Sequence, residues 1–175
     1  AVDGEAPRGG AGGVMRSAGS APPGEWRTTG LIVDTAGHIL TSTYNFLHDP
    51  AAIVVQFADG QRKVAQLLGR DPMRKVCVLR VSEPPDNLQP ITWAKTAELR
   101  VGQWAMSLGY GFNGSVPAGS VGMISALHRL GGIAVQTDAN LSPANYGGPL
   151  IDLDGQVIGV CVASAPGGGS DAAGV

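Results

Sequence analysis

Short apolar runs recur roughly every ten positions along most of the chain, with turn residues between them. Residues 31–33 and 38–41 are rich in β-formers. They flank Asp34-Thr35-Ala36-Gly37, a turn in which glycine supplies a positive φ. Residues 53–57 lead into a second turn, Ala58-Asp59-Gly60, which is followed by 64–68. Residues 76–81 form a nearly continuous apolar run, the pattern of a strand buried on both faces. Strand signals continue at 104–108, 115–124, 133–137 and 150–151. A third hairpin turn, Asp152-Leu153-Asp154-Gly155, leads into 157–163. Helical periodicity is weak throughout, with single turns predicted after Thr43 and around 96–99. No fixed-period repeat is present. Strands at this spacing predict an all-β sandwich or closed barrel.

Composition changes the picture at the two ends. Residues 1–24 are almost all Gly, Ala, Pro and Ser, interrupted by a few charges and the pair Val14-Met15. Such a segment cannot offset its own ordering entropy, so it is expected to be an arm or linker. Residues 25–165 are expected to be the folded domain, and 166–175 a flexible tail continuing into a further C-terminal part. The chain starts without Met and reads as a processed product or an excerpt.

Charge and rare residues narrow the chemistry further. The 175 residues carry a net charge of -2 with no Lys/Arg cluster, which argues against nucleic acid as a partner. No apolar run approaches the ~18 residues of a membrane helix, and no basic segment precedes an apolar core at the N-terminus. Direct membrane insertion is therefore not expected. Cys77 and Cys161 sit in apolar runs without a CxxC neighbour, so two buried free thiols are predicted. A disulfide remains open should the fold bring them together. His38 and His128 have no Cys, Asp or Glu at ligand spacing, so no metal and no cofactor is expected.

The hexapeptide Asn145-Tyr146-Gly147-Gly148-Pro149-Leu150 resembles the G-N-S-G-G-P-L nucleophile loop of trypsin-like serine proteases, with the serine replaced. Gln136-Thr137-Asp138-Ala139 precedes it, and Asp154-Gly155-Gln156-Val157-Ile158-Gly159-Val160 follows it, at the spacing of the HtrA (Deg) branch. Gly30 to Asp34 with Ile39-Leu40-Thr41 is similar to that branch's G-x-x-V-D-x-x-G-x-I-L-T. Leu99-Arg100-Val101-Gly102-Gln103-Trp104 resembles its L-R-V-G-x-W. The likeness runs from about residue 28 to 165. It implies a trypsin-like fold of two six-stranded antiparallel β-barrels with a cleft between them. It also implies, more loosely, a bacterial periplasm or cell-envelope setting.

Carried over position by position, the resemblance puts Tyr44 at the family's general base, Lys75 at its aspartate and Tyr146 at its nucleophile. Ala144 takes the place of the oxyanion-loop glycine. Tyrosine, with a reference pKa near ~10, is a poor base at neutral pH. A lysine reverses the charge that orients the imidazole. The expectation is therefore a catalytically inactive pseudoprotease and no enzyme. It would serve as a protein-binding or structural module within a larger assembly, of unspecified oligomeric state. The two phenol rings either plug the cleft or turn outward toward a partner. Asn140, six positions before Tyr146, is a third candidate for partner binding, and Asp138 is expected to tie loops together. The alternative is an endopeptidase with relocated catalytic residues, for which His48 and Ser142 are the available pair. A third reading is a purely architectural subunit.

Overall fold

The computed structural model describes residues 28–46, 50–110, 116–163 and 171–174, which fold into two packed antiparallel sheets. The first sheet contains β1 (Gly30–Ile32), β2 (His38–Ser42), β3 (Ile53–Gln56), β4 (Arg62–Asp71) and β5 (Val76–Val81), in the order β1-β2-β5-β4-β3. The second contains β6 (Trp104–Gly109), β7 (Ala118–His128), β8 (Ala134–Thr137), β9 (Pro149–Ile151), β10 (Val157–Val162) and β11 (Asp171–Gly174). It closes into a barrel in the order β10-β11-β8-β7-β6-β9. The arrangement matches the expected trypsin-like pair of all-β units, but only the second closes into a six-stranded barrel; the first is a five-stranded sheet among the described residues.

Side-chain alternation explains how the two sheets meet. Ile39, Cys77, Leu79 and Val81 point into the first sheet's own core with Phe46 and Ala65. Leu31, Leu40 and Val76 point the other way, against Val157, Val160 and Val162 of β10. The remaining faces of β10 and β9 (Ile158, Cys161, Leu150) line the barrel interior with Leu99, Ala105, Ile124 and Val135. Strand β10 is thus buried on both faces along its length, which is why its sequence is an unbroken apolar run. The three predicted turns form, with Gly37, Gly60 and Gly155 all at positive φ.

Strand limits differ from expectation where pairing extends an element beyond its propensity. Strand β4 begins at Arg62 and runs to Asp71, because its ladder with β5 continues past a bulge between Leu67 and Gly69. Strand β7 reaches His128, held by β8 across a second register shift. The single turns after Thr43 and near 96–99 are 3-10 turns, Thr43–Phe46 and Thr96–Glu98. The expected flexible tail is corrected over four of its residues. Asp171–Gly174 forms β11, bonded to β10 on one side and β8 on the other, and so completes the barrel. Its small residues carry no strand signal, and the order comes from two waiting sheet edges. The arm expected at 1–24 lies outside the described residues.

Candidate functional site

Three segments converge at the end of β2. The first is the 3-10 turn Thr43–Phe46. It is anchored by Thr43 N–H donating to the Lys75 carbonyl (2.9 Å) and Tyr44 N–H donating to Ser42 Oγ (3.2 Å). Ser42 is fully buried, so the turn rests on a fixed base while the Tyr44 side chain emerges, 41% exposed.

The second segment is the β4–β5 hairpin. Asp71 Oδ1 accepts from Met73 N–H and Arg74 N–H, both at 2.9 Å, and Arg74 Nη1 donates to Asp71 Oδ2 at 2.9 Å. The backbone N–H and side chain of Arg74 hold the Asp71 carboxyl below its ordinary value. This Asx turn delivers Lys75 in a left-handed conformation, φ 57°. Lys75 Nζ then donates to the Ala163 carbonyl at 2.7 Å, just past β10. Its ammonium is therefore spent on tying the hairpin to the barrel.

The third segment is the loop between β8 and β9. Asp138 Oδ1 accepts from Met123 N–H, and Asp138 N–H donates back to the Met123 carbonyl, so this residue ties loop to strand. Asn140 N–H donates to Ser120 Oγ (2.9 Å), and the residue is exposed. Ser142 Oγ donates to Asn145 Oδ1 at 3.1 Å. The N–H groups of Asn145, Gly147 and Gly148 go to Ser142 O, Cys161 O and Asn145 O, each at 2.8 Å. The loop is closed on itself and on β10. Ala144 is buried behind it, where its carbonyl leaves no room for a side chain at Gly109.

These supports bring Tyr44 and Tyr146 together although they lie far apart in sequence. Their ring centroids are 5.0 Å apart with planes at 71°, an edge-to-face contact that adds about 0.5–1.5 kcal/mol beyond burial. Burial first, then the neighbouring Tyr44 and Cys161, push the Tyr146 phenol above its ordinary value. At neutral pH it is a hydrogen-bond donor and acceptor rather than a phenolate.

Three threonines hold this junction, and of these only Thr41 figured in the sequence pattern, without a role. Thr28 Oγ1 donates to the Tyr146 carbonyl (2.6 Å), and Thr41 Oγ1 to the Thr29 carbonyl (2.6 Å). Tyr110 N–H donates to Thr29 Oγ1 (2.7 Å). Threonine is a common strand residue, so nothing in the sequence marked Thr28 and Thr29. A cavity of about 460 Å³ opens elsewhere, between the Lys95–Gln103 stretch and the Asp152 turn. It shares no residue with the tyrosine pair, and its lining includes Lys95 paired with Glu98, Arg100, Asp152 and Asp154.

Other candidates separate from the site. His38 Nδ1 pairs with Asp34 Oδ2 at 2.7 Å within the β1–β2 turn. His128 ends β7 in a left-handed conformation, φ 56°. His48 lies outside the described residues. Among the described residues no group of His, Cys, Asp and Glu could hold a metal ion, and no helix is long and apolar enough to cross a membrane. Cys77 and Cys161 are both free and buried, one in the first sheet's core and the other in the barrel. Burial lifts their thiols to about 11 and about 12.

A five-stranded sheet packed on a closed six-stranded barrel, with loops converging at the end of β2, is the plan of a trypsin-like peptidase domain, and residues 28–160 match the family described as "Trypsin-like peptidase domain". The chain belongs to that family, and the relatives it resembles are HtrA- and Deg-type proteases. It is 36% identical over 151 residues to a probable periplasmic serine endoprotease DegP-like of Chlamydia muridarum, covering 82% of this chain and 29% of the relative. It is 35% identical over 158 residues to the periplasmic pH-dependent serine endoprotease DegQ of Escherichia coli, covering 86% and 34%. It is 35% identical over 156 residues to the chloroplastic protease Do-like 1 of Arabidopsis thaliana, covering 83% and 35%. The solved HtrA-type protease AlgW with decapeptide superposes with a TM-score of 0.69 at 30% identity, over 83% of this chain and 46% of that one. The chain spans about a third of the length of these curated relatives.

These relatives correct the expectation that the chain is no enzyme. They are named as serine endoproteases and proteases, and the family is one of peptidases. The expectation rested on side-chain identity at Tyr44, Lys75 and Tyr146. Those identities describe how one mechanism would fare at three positions; they do not measure turnover by the whole domain.

Proposed function

We propose that this chain is the peptidase-type domain of an HtrA-like protein that engages protein segments in the cleft at Tyr44 and Tyr146. It would act as a protein-binding module of a larger assembly in the bacterial periplasm or cell envelope. The observation that carries this reading is the edge-to-face tyrosine pair between sheet and barrel. Half-exposed tyrosines offer apolar area, hydroxyl donors and low side-chain entropy, the combination enriched where proteins bind protein. Exposed Asn140 precedes Tyr146 in the same loop and offers an amide to a bound backbone. The periplasmic names of the Chlamydia and Escherichia relatives support the setting, and AlgW's decapeptide supports a peptide ligand.

The test is fluorescence anisotropy with labelled, unfolded casein. Saturable binding that weakens in Tyr44→Ala and Asn140→Ala is expected. Binding unchanged in both variants, or none in the parent, rejects the reading. The relatives' names also favour a second reading, an endopeptidase with relocated catalytic residues, for which Ser142 is the hydroxyl at hand. Gel analysis of the same samples separates the two. Casein fragments that vanish in Ser142→Ala support the second, and intact casein removes it.

A further inference from the structure

A hollow of about 270 Å³ opens where the β4–β5 hairpin, the Thr96–Glu98 turn and the β7–β8 end of the barrel meet. It shares no residue with the tyrosine pair. Its lining divides by depth. Leu99, Ala134 and Val135 are buried, Leu127 and Ile133 half-buried, and all five are apolar. Leu99 and Val135 belong to the barrel core and Leu127 packs against it, so the floor of the hollow continues that core. Arg74, Thr96 and His128 are exposed and make the rim, and each carries a side-chain hydrogen-bond donor.

We propose that this hollow binds a small carboxylate with an apolar tail, of the chemical class of short fatty acids. The donors at the rim select the head group. Among the described residues, the Arg74 side chain donates only to Asp71, Nη1 to Oδ2 at 2.9 Å, and the side chains of Thr96 and His128 bond to none. Asp71 is itself anchored through Oδ1 by the N–H groups of Met73 and Arg74. It therefore holds the guanidinium in place and leaves further N–H groups for a second acceptor. A guanidinium presents five N–H groups in a planar fork that fits a carboxylate.

The sign of the charge follows from the same lining. Among the described residues no Asp or Glu lines the hollow, so nothing there would pair with an amine or a metal cation. The floor selects the tail. Its side chains offer no partner to a second polar group, and burying one unpaired is costly. The volume lies just below the range of about 300–1,000 Å³ that takes drug-sized ligands, so a short chain suits it. The backbone adds an independent sign. His128 and Leu130 stand at φ 56° and 51°, a left-handed conformation that residues other than glycine seldom take. The hairpin that keeps them there sets His128 at the rim, and such outliers gather at ligand sites.

The test titrates the isotope-labelled full chain with octanoate and follows backbone amide shifts by two-dimensional NMR. Octanamide, with the same tail and no charge, and acetate, with the same head and no tail, are the comparisons. Saturable shifts are expected at Leu127, His128, Ile133 and Val135. Octanamide should bind at least about tenfold more weakly, the range for losing a hydrogen bond between charged groups, and acetate should not saturate. Arg74→Gln should weaken octanoate by a similar factor and leave octanamide nearly unchanged. A dispersed spectrum verifies that this variant folds; if it does not, the octanoate–octanamide difference in the parent decides alone. Absence of saturation with octanoate, equal affinity for octanoate and octanamide, or unaltered octanoate binding in folded Arg74→Gln overturns the inference. So do shifts that centre on the exposed Val54, Val64 and Trp104 instead of the hollow.

Discussion

Replacing Gly147 by alanine tests how the cleft is held. Gly147 follows Tyr146 at φ +85°, and a methyl group there would meet the Thr29 carbonyl, Thr41 Oγ1 and Ser42 N. Two of these atoms are backbone of the first sheet and its leading segment, and Thr41 Oγ1 is already bonded to the Thr29 carbonyl at 2.6 Å. None can rotate aside. A left-handed L-residue costs about 1–2 kcal/mol, and the stiffer unfolded chain returns about 0.4–1 kcal/mol. Forced displacement in a packed region adds about 1–3 kcal/mol. Gly147→Ala should therefore lose about 2–4 kcal/mol.

Gly155 is the matched control, with φ +78° and open space around it. Gly155→Ala should lose about 1 kcal/mol or less, from backbone strain alone. Urea unfolding followed by tryptophan fluorescence reads the difference. With slopes of about 1–3 kcal/mol/M, the Gly147 variant should unfold at about 1–2 M lower urea, and the Gly155 variant within about 0.5 M of the parent. Equal midpoint shifts would refute the argument, since they would mean that the loop is not pressed against the first sheet.

Other expectations follow from the same contacts. Leu150, fully buried in the barrel, should cost about 2–5 kcal/mol when cut to alanine, measured by urea unfolding. Lys75→Ala should cost about 0.5–1.5 kcal/mol through loss of the bond to Ala163, while Lys75→Gly should come out closer to neutral because it also relieves the positive φ. Cys77 and Cys161 are held up to about 11 and about 12, and Tyr146 is raised. The native state therefore binds more protons than the unfolded chain, so stability is full below the ordinary thiol range and falls as pH rises from roughly 9. Unfolding free energies measured between neutral and alkaline pH should decline accordingly; a rise would contradict the assignment. The same burial should leave both thiols silent to Ellman's reagent at neutral pH until urea unfolds the chain.

Strand β5 was legible to the residue, because a strand buried on both faces over most of its length needs a nearly unbroken apolar sequence, here interrupted only by exposed Arg80. The turns at Gly37, Gly60 and Gly155 were legible because a positive φ leaves few residue choices. Strand β11 was not legible. Asp171-Ala172-Ala173-Gly174 has no propensity to extend, and it becomes a strand only because the open edges of β10 and β8 face each other across one strand's width.

In the cleft, the sequence by itself determined which residues are present: tyrosine at 44 and 146, lysine at 75, and a glycine-rich loop able to take a left-handed bend. Those identities came with the order and spacing that mark a trypsin-like domain. They did not determine activity, and inferring its absence from them was the step that the relatives overturned. What only the tertiary structure decided is who meets whom. Edge-to-face contact of Tyr44 with Tyr146, capture of Lys75 Nζ by a carbonyl near the end of β10, and the threonine struts that bring Tyr110 alongside are all long-range contacts. Such contacts depend on two sheets packing through β10, a property of the whole apolar pattern that no local stretch of sequence contains.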